Sequence, residues 1–198
     1  MLVSMQPGIQ PIRSRRFVAP IRAGWLLALG GLTVATVVYA ARERVGGVTN
    51  FGRVTENFFR GGKVTPTGLE NLHAMGVRTV IDLAGKNGER NTCRRLGMTY
   101  YSFPMDADRR PDDASVERVL RILSDAKDPV YVHCSAGKHR AGTITALYRI
   151  RVQGWSPEQA WREQQSYGFG SASEHRTIYE YVYGRGGTAA SSSGRGKD

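Results

Sequence analysis

The stretch His133-Cys134-Ser135-Ala136-Gly137-Lys138-His139-Arg140 constrains this chain more than any other. It follows the apolar run Pro129-Val130-Tyr131-Val132 and precedes a helical pattern over Ala141–Gln153. The spacing therefore predicts a loop that leaves a strand and enters a helix. Backbone N–H groups of a Gly-bearing loop at a helix N-terminus form a nest for an anion. Gly137 lets the loop curl where a Cβ would obstruct it. A cysteine is a strong nucleophile only as thiolate, a form that positive surroundings and a helix N-terminus favour. Arg140 offers a planar fork that can grip two oxygens at once. Thiolate, nest and guanidinium converge on one tetrahedral anion.

The flanking sequence alternates strand and helix signals. Asn57–Arg60 reads as a short strand before the Gly61-Gly62 turn, and Thr67–Met75 as a helix closed by Gly76. Val77–Leu83 is an apolar, β-branched strand, Glu89–Leu96 a helix closed by Gly97, and Met98–Phe103 a strand. Pro111 is expected to open a helix whose apolar face is Val116, Val119, Leu120 and Leu123. Val130–His133 enters the loop, and helices follow at Ala141–Gln153, Ser156–Tyr167 and Ser173–Tyr183. The expected class is α/β, a central, mostly parallel sheet flanked by helices. Ligands of such folds sit at the carboxyl ends of the strands, where the Cys134 loop emerges. Tyr148, Trp155, Trp161 and Tyr179 fall on apolar helix faces and are expected in the core.

The octapeptide, with its Cys-x(5)-Arg spacing, resembles the signature of the protein tyrosine phosphatase superfamily. Over roughly residues 50–183 the short chain looks like a dual-specificity or atypical member. That resemblance implies hydrolysis of phosphate monoesters through a phosphocysteine on Cys134, without metal or cofactor. It implies that Ser135, Ala136, Gly137, Lys138, His139 and Arg140 bind the phosphoryl group. It also implies that His133 supports the loop through hydrogen bonds. In relatives an Asp on the loop before the preceding helix protonates the leaving oxygen. Here that loop is Phe103–Asp113, and Asp106 and Asp108 are the candidates. Counting back from Cys134 favours Asp106; counting back from Pro111 favours Asp108, which is placed marginally ahead. Asp112 and Asp113 suit the helix start, where carboxylates complement the dipole. Relatives usually carry Ser or Thr after the Arg, whereas this chain has Ala141, which implies slow breakdown of the phosphocysteine. Gly-Lys-His-Arg resembles the loop of atypical plant and fungal phosphatases acting on inositol pyrophosphates, so Lys138 and His139 would suit a polyanion. Arg60 in Phe59-Arg60-Gly61-Gly62 resembles a turn of bacterial relatives that braces the fold, and Asp82 reads as structural.

Three activities are thus expected in order. The first is a phosphatase for phosphotyrosine or phosphoserine proteins or other small phosphate esters, with phosphoinositides, inositol phosphates or phospholipids as alternative substrates. The second is a low-turnover phosphate-binding module. The third, a sulfurtransferase of rhodanese type, lacks support because that loop does not carry Gly-x-x-Arg.

The 198 residues carry a formal charge of +11, concentrated in the tails: +5 over residues 1–44 and +2 over 184–198. No Lys/Arg run with interleaved aromatics occurs between them, so no nucleic-acid partner is expected. A basic pocket for an anionic substrate fits the balance better, in a monomer. Residues 1–22 and 184–198 read as disordered, and no internal repeat occurs. Ala23–Ala41 holds no charge and has the length of a membrane-spanning helix. Arg13, Arg15, Arg16 and Arg22 precede it, and Trp25 and Tyr39 lie near its ends. That pattern predicts a single-pass anchor with a cytoplasmic N-terminus and the catalytic domain, 45–183, outside the cytoplasm. The rival is a signal peptide cleaved near Val38-Tyr39-Ala40, giving a secreted or periplasmic domain. The two cysteines, Cys93 and Cys134, are too few for a disulfide framework or a zinc site. Cys93 is expected as a packed helix residue, with a resolving partner for oxidised Cys134 as the alternative.

Overall fold

Strand β5 (Val130–His133) organises the molecule, because every one of its residues is buried and both of its edges are paired. The computed structural model describes residues 43–183. The sheet has five strands in the order β1-β2-β5-β3-β4, with β1 at Gly52–Arg53, β2 at Phe58–Gly61, β3 at Thr79–Asp82 and β4 at Thr99–Ser102. β2 and β3 both run parallel to β5, in registers that align Gly61, His133 and Asp82 at one end. β4 is parallel to β3, while β1 is antiparallel to β2. The carboxyl ends of the central strands therefore share one edge, where the Cys134 loop begins.

Period-2 alternation along the buried strands sends side chains into two separate cores. Phe58, Ile81, Val130 and Val132 pack on one face with Val116, Val119, Leu120 and Leu123 of α3 (Asp113–Asp125). Phe59, Val80 and Tyr131 pack on the other with Leu69 and Leu72 of α1 (Pro66–Ala74) and Cys93 of α2 (Arg90–Arg95). The four α3 residues are at most 5% exposed. Each contributes roughly 1.5–3 kcal/mol by leaving water. The first core is completed by α4 (His139–Arg151), α5 (Pro157–Ser166) and α6 (Arg176–Tyr183). In that layer Trp161 meets Phe169, Tyr179 and Tyr183 edge-on, as expected of an apolar helix face.

The expected α/β class and its mostly parallel sheet are present, with differences of detail. β1 has no counterpart in the sequence reading, because it is two residues long and exposes Arg53. Pro111 does not open α3: Asp112 caps it, accepting from Ser115 N at 2.8 Å, and Asp113 is its first residue. α4 starts at His139 rather than Ala141, so the helix begins inside the signature.

The readings made for residues 1–22, 23–41 and 184–198 lie outside the described residues. Among the described residues no helix is long and apolar enough to cross a membrane. The expected placement of the domain beyond a membrane, whether anchored or released by cleavage, is corrected accordingly.

Candidate active site

Cys134 stands directly after β5, 3% exposed, with its N–H donating to Gly61 O at 3.3 Å. The loop that follows is held from outside by its carbonyl groups. Lys63 N donates to Ser135 O at 2.9 Å. The Asn50 amide donates to Ala136 O at 3.4 Å, Gly137 O at 3.1 Å and Tyr167 O at 3.1 Å. Arg60 donates to Gly137 O at 2.5 Å and to Lys138 O at 3.5 Å. A trans peptide is planar, with N–H and C=O pointing opposite ways. Carbonyls drawn outward at 135–138 therefore turn the N–H groups of 136–139 inward, toward the thiol. That is the nest the sequence predicts, and the N-terminus of α4 adds its partial positive charge.

Two glycines make this possible. Gly137 has φ +70°, and a Cβ there would lie 2.5 Å from Gly62 N. A Cβ on Gly62 would lie 2.7 Å from the Ala136 carbonyl carbon. The Gly61-Gly62 turn is thus a floor on which the phosphate loop rests, and Tyr131 fixes it by donating its hydroxyl to Gly62 O at 2.7 Å.

Arg60 is fully buried, and its expected bracing role is sharper than the sequence reading allowed. Besides the loop carbonyls it donates to Gln164 Oε1 at 2.5 Å and lies 4.0 Å from the Tyr167 ring centroid. Arg140 crosses the loop mouth, with Nη2 donating to Ser135 Oγ at 3.0 Å and Nη1 to Met105 O at 3.4 Å. Its buried Nε makes no hydrogen bond among the described residues, leaving a donor for a phosphoryl oxygen.

His133 is buried directly before Cys134. The ring stacks on Tyr131 at 5.4 Å between centroids. Burial lowers its pKa and Arg140 adds to that, against the raising influence of Asp82, Glu89 and a hydrogen bond to the Cys134 backbone. Asp82 is structural, as expected. Its carboxylate accepts from the N–H groups of Ala84, Gly85, Lys86 and Asn87 and from the Tyr100 hydroxyl. Burial works to raise its pKa, but these bonds and His133 overcome that and hold the carboxyl below its ordinary value. The loop so anchored forms a wall of a cavity of about 250 Å³ beside Cys134, lined by Lys63, Lys86, Glu89, His133 and Ser135.

The two candidate acids differ in surroundings. Asp106 Oδ1 accepts from Asp108 N at 2.8 Å, and Oδ2 stands 3.8 Å from Arg109, so this carboxylate serves its own loop. Asp108 Oδ1 stands 3.4 Å from His175 Nδ1, and Asp108 reaches within 4.8 Å of His139 in the phosphate loop. Asp112 and Asp113 stay at the start of α3, where Asp113 also accepts from the Tyr181 hydroxyl at 2.8 Å. Cys93 is fully buried, and burial pushes its thiol up to about 11. It belongs to the core on the sheet face opposite Cys134, which bears out packing and corrects the resolving-partner alternative. Asn50, Lys63, Lys86, Gln164 and His175 were missed, since none lies in a motif with a chemical spacing of its own.

A parallel-sheet domain that carries a cysteine in an outward-pinned anion nest, faced by an arginine, defines a cysteine-based phosphatase architecture. A family model described as DSP-PTPase phosphatase fused to NAD+ kinase matches residues 37–180, and the chain belongs to that dual-specificity and protein tyrosine phosphatase family. The chain is similar to the dual specificity protein phosphatase TpbA of Pseudomonas aeruginosa strain PAO1, with 34% identity over 154 residues, 77% of this chain and 70% of that one. A crystal structure of P. aeruginosa TpbA in complex with pTyr superposes with a TM-score of 0.62 at 33% identity, covering 76% of this chain and 92% of that one. Inositol diphosphatase DSP4 of Arabidopsis thaliana is 26% identical over 126 residues, 60% of this chain and 63% of that one.

Proposed function

We propose that this chain hydrolyses phosphate monoesters through a phosphocysteine on Cys134. The observation that carries this reading is the loop whose carbonyls are all drawn outward, so that its amides, Arg140 and the thiol address one point. Cys134 Sγ attacks phosphorus while the bond to the leaving oxygen breaks, and Asp108 gives that oxygen its proton. Arg140 and the loop amides stabilise the charge spread over the phosphoryl oxygens. Water then attacks phosphorus, gives its proton to Asp108, and returns the thiolate.

The first substrate class is a phosphorylated protein or small phosphate ester, supported by the resemblance to TpbA, whose solved complex holds pTyr. A second class has a specific observation in its favour. Lys63 and Lys86 line the cavity beside Cys134, and Lys138 is exposed within the loop. Two ammonium groups in the cavity beside Cys134, with a third lysine in the loop itself, suit a densely phosphorylated inositol, the class named for one relative.

Ala141 is fully buried in the core that also contains Cys134, and it carries no hydroxyl to assist departure of the thiolate. Breakdown of the phosphocysteine should therefore limit turnover, the point from which a low-turnover reading follows. After rapid mixing with a phosphotyrosine peptide or an inositol polyphosphate and acid quenching, mass spectrometry should find phosphate on Cys134. Ala141→Ser should lower the amount trapped and raise steady-state turnover. No trapped phosphate with any substrate that is turned over would sink the covalent reading.

The assignment of Asp108 is separable from that of Cys134. An alkyl leaving group needs the acid, whereas a nitrophenolate departs with little help. Asp108→Asn should cost roughly 100-fold or more on an alkyl phosphate, within the range for a general acid, and far less on nitrophenyl phosphate. Asp106→Asn should cost little on either. Equal, small losses for the two variants would remove Asp108 from the mechanism.

A further inference from the structure

We propose that Asp108, His139 and His175 form a zinc-binding site at the rim of the phosphate loop. Three separate segments supply the ligands. Asp108 comes from the loop before α3, His139 from the first turn of α4, and His175 from the residue before α6. Each offers one ligand atom, and all three atoms lie within 4.8 Å of one another. Bonds of about 2.0–2.2 Å in a tetrahedral zinc site place ligand atoms about 3.3–3.6 Å apart. The His175–Asp108 pair is already at that spacing, 3.4 Å. The other two spacings are at most 4.8 Å, and Asp108, whose side chain is 74% exposed, has room to adjust.

The histidines are held for the purpose. Their rings lie 4.1 Å apart, and Phe169 meets each edge-on at 5.3 Å, giving an apolar wall behind both. Nδ1 of His175 is shielded from solvent and makes no hydrogen bond among the described residues, although it faces the carboxylate. A buried ring nitrogen without a partner is costly, and a metal ion would satisfy it. Two imidazoles and one carboxylate match zinc, whereas magnesium and calcium take oxygen ligands. Three protein ligands leave a fourth position for water.

A zinc ion here takes Asp108 as a ligand. The bound cation favours the ionised carboxylate, which has no proton to give the leaving oxygen, so bound zinc slows hydrolysis of alkyl phosphates. Binding itself is independent of the proposed mechanism; its effect on rate rests on Asp108 being the acid.

The test uses the full chain with Cys134→Ser, which removes the thiol of the phosphate loop as a competing zinc ligand. Zinc is titrated in competition with a chromophoric chelator, with cobalt(II) as a spectroscopic substitute. One ion per chain is expected, and the cobalt spectrum should lack a thiolate charge-transfer band. His175→Gln, Asp108→Asn and His139→Gln should each weaken binding at least about tenfold, the loss common even for outer-shell partners of a metal. His73→Gln, the histidine of α1, should leave it unchanged. Because His139 lies in the phosphate loop, His175→Gln serves as the variant outside it, with circular dichroism reporting the fold of each. No binding in the micromolar range, or equal binding by the parent and by the His139→Gln, His175→Gln double variant, would overturn the site. With the unsubstituted chain, zinc should slow an alkyl phosphate and a chelator should restore it, and His175→Gln should lose that sensitivity. Binding confirmed without any slowing supports the site and overturns Asp108 as the acid.

Discussion

Cys134→Ser is expected to release no measurable phosphate from any substrate while still binding phosphate or vanadate about as tightly as the parent chain. The serine is nearly isosteric at a position that is 3% exposed, so the packing around it is little disturbed. The outward ties from Lys63, Asn50 and Arg60 do not involve the thiol, and they keep the inward amides in place. Only the nucleophile is lost, because an alcohol is far less ionised than a thiol at neutral pH. Calorimetry with orthovanadate separates the two properties. Hydrolysis by the Ser variant within tenfold of the parent would remove Cys134 from the chemistry, and lost vanadate binding would show that the thiol also shapes the nest.

Arg140→Lys is expected to lower kcat/KM by at least about 100-fold, the loss typical when one donor to a transition state is removed. Charge is retained in this variant, so the loss isolates geometry. The guanidinium holds Ser135 Oγ and Met105 O with its two terminal nitrogens and keeps a buried Nε without a partner. It therefore ties the phosphate loop to the segment that leads into the Asp108 loop while presenting donors to the anion. An ammonium group is a point charge that cannot do both. A loss under tenfold, with an unchanged melting temperature, would show that Arg140 is not the phosphoryl clamp.

The fold was legible where the sequence changes period. β5 opens on the apolar run Val130-Tyr131-Val132, bounded by Pro129 and the loop, and it was placed residue for residue. The α3 face follows from Val116, Val119, Leu120 and Leu123 alone. Boundaries slipped where capping decided them. Asp112 rather than Pro111 starts α3, and α4 takes in His139 and Arg140 because the loop turns helical before its arginine. Cys134, its loop and Arg140 could be read as one candidate site because one short segment carries them. The supports could not. Asn50 holds φ +49°, a conformation that Asn tolerates, and nothing around it in sequence announces a contact with Gly137. His175 lies 36 residues after His139, so only the folded chain shows that their rings meet.

The ties from Arg60 and Asn50 also bear on how this chain acquires its site. They join the phosphate loop to residues 77 and 87 positions earlier, and Asn50 reaches a further 30 positions on to Tyr167. A short isolated segment that contains the signature has none of these partners, so its carbonyls and amides face water without preference. Closing such long spans is entropically expensive and is repaid only when β2, β5 and α5 have come together. The anion nest is therefore expected to form late in the folding reaction. It belongs to the same cooperative unit as the core, and it cannot loosen by fraying at one end.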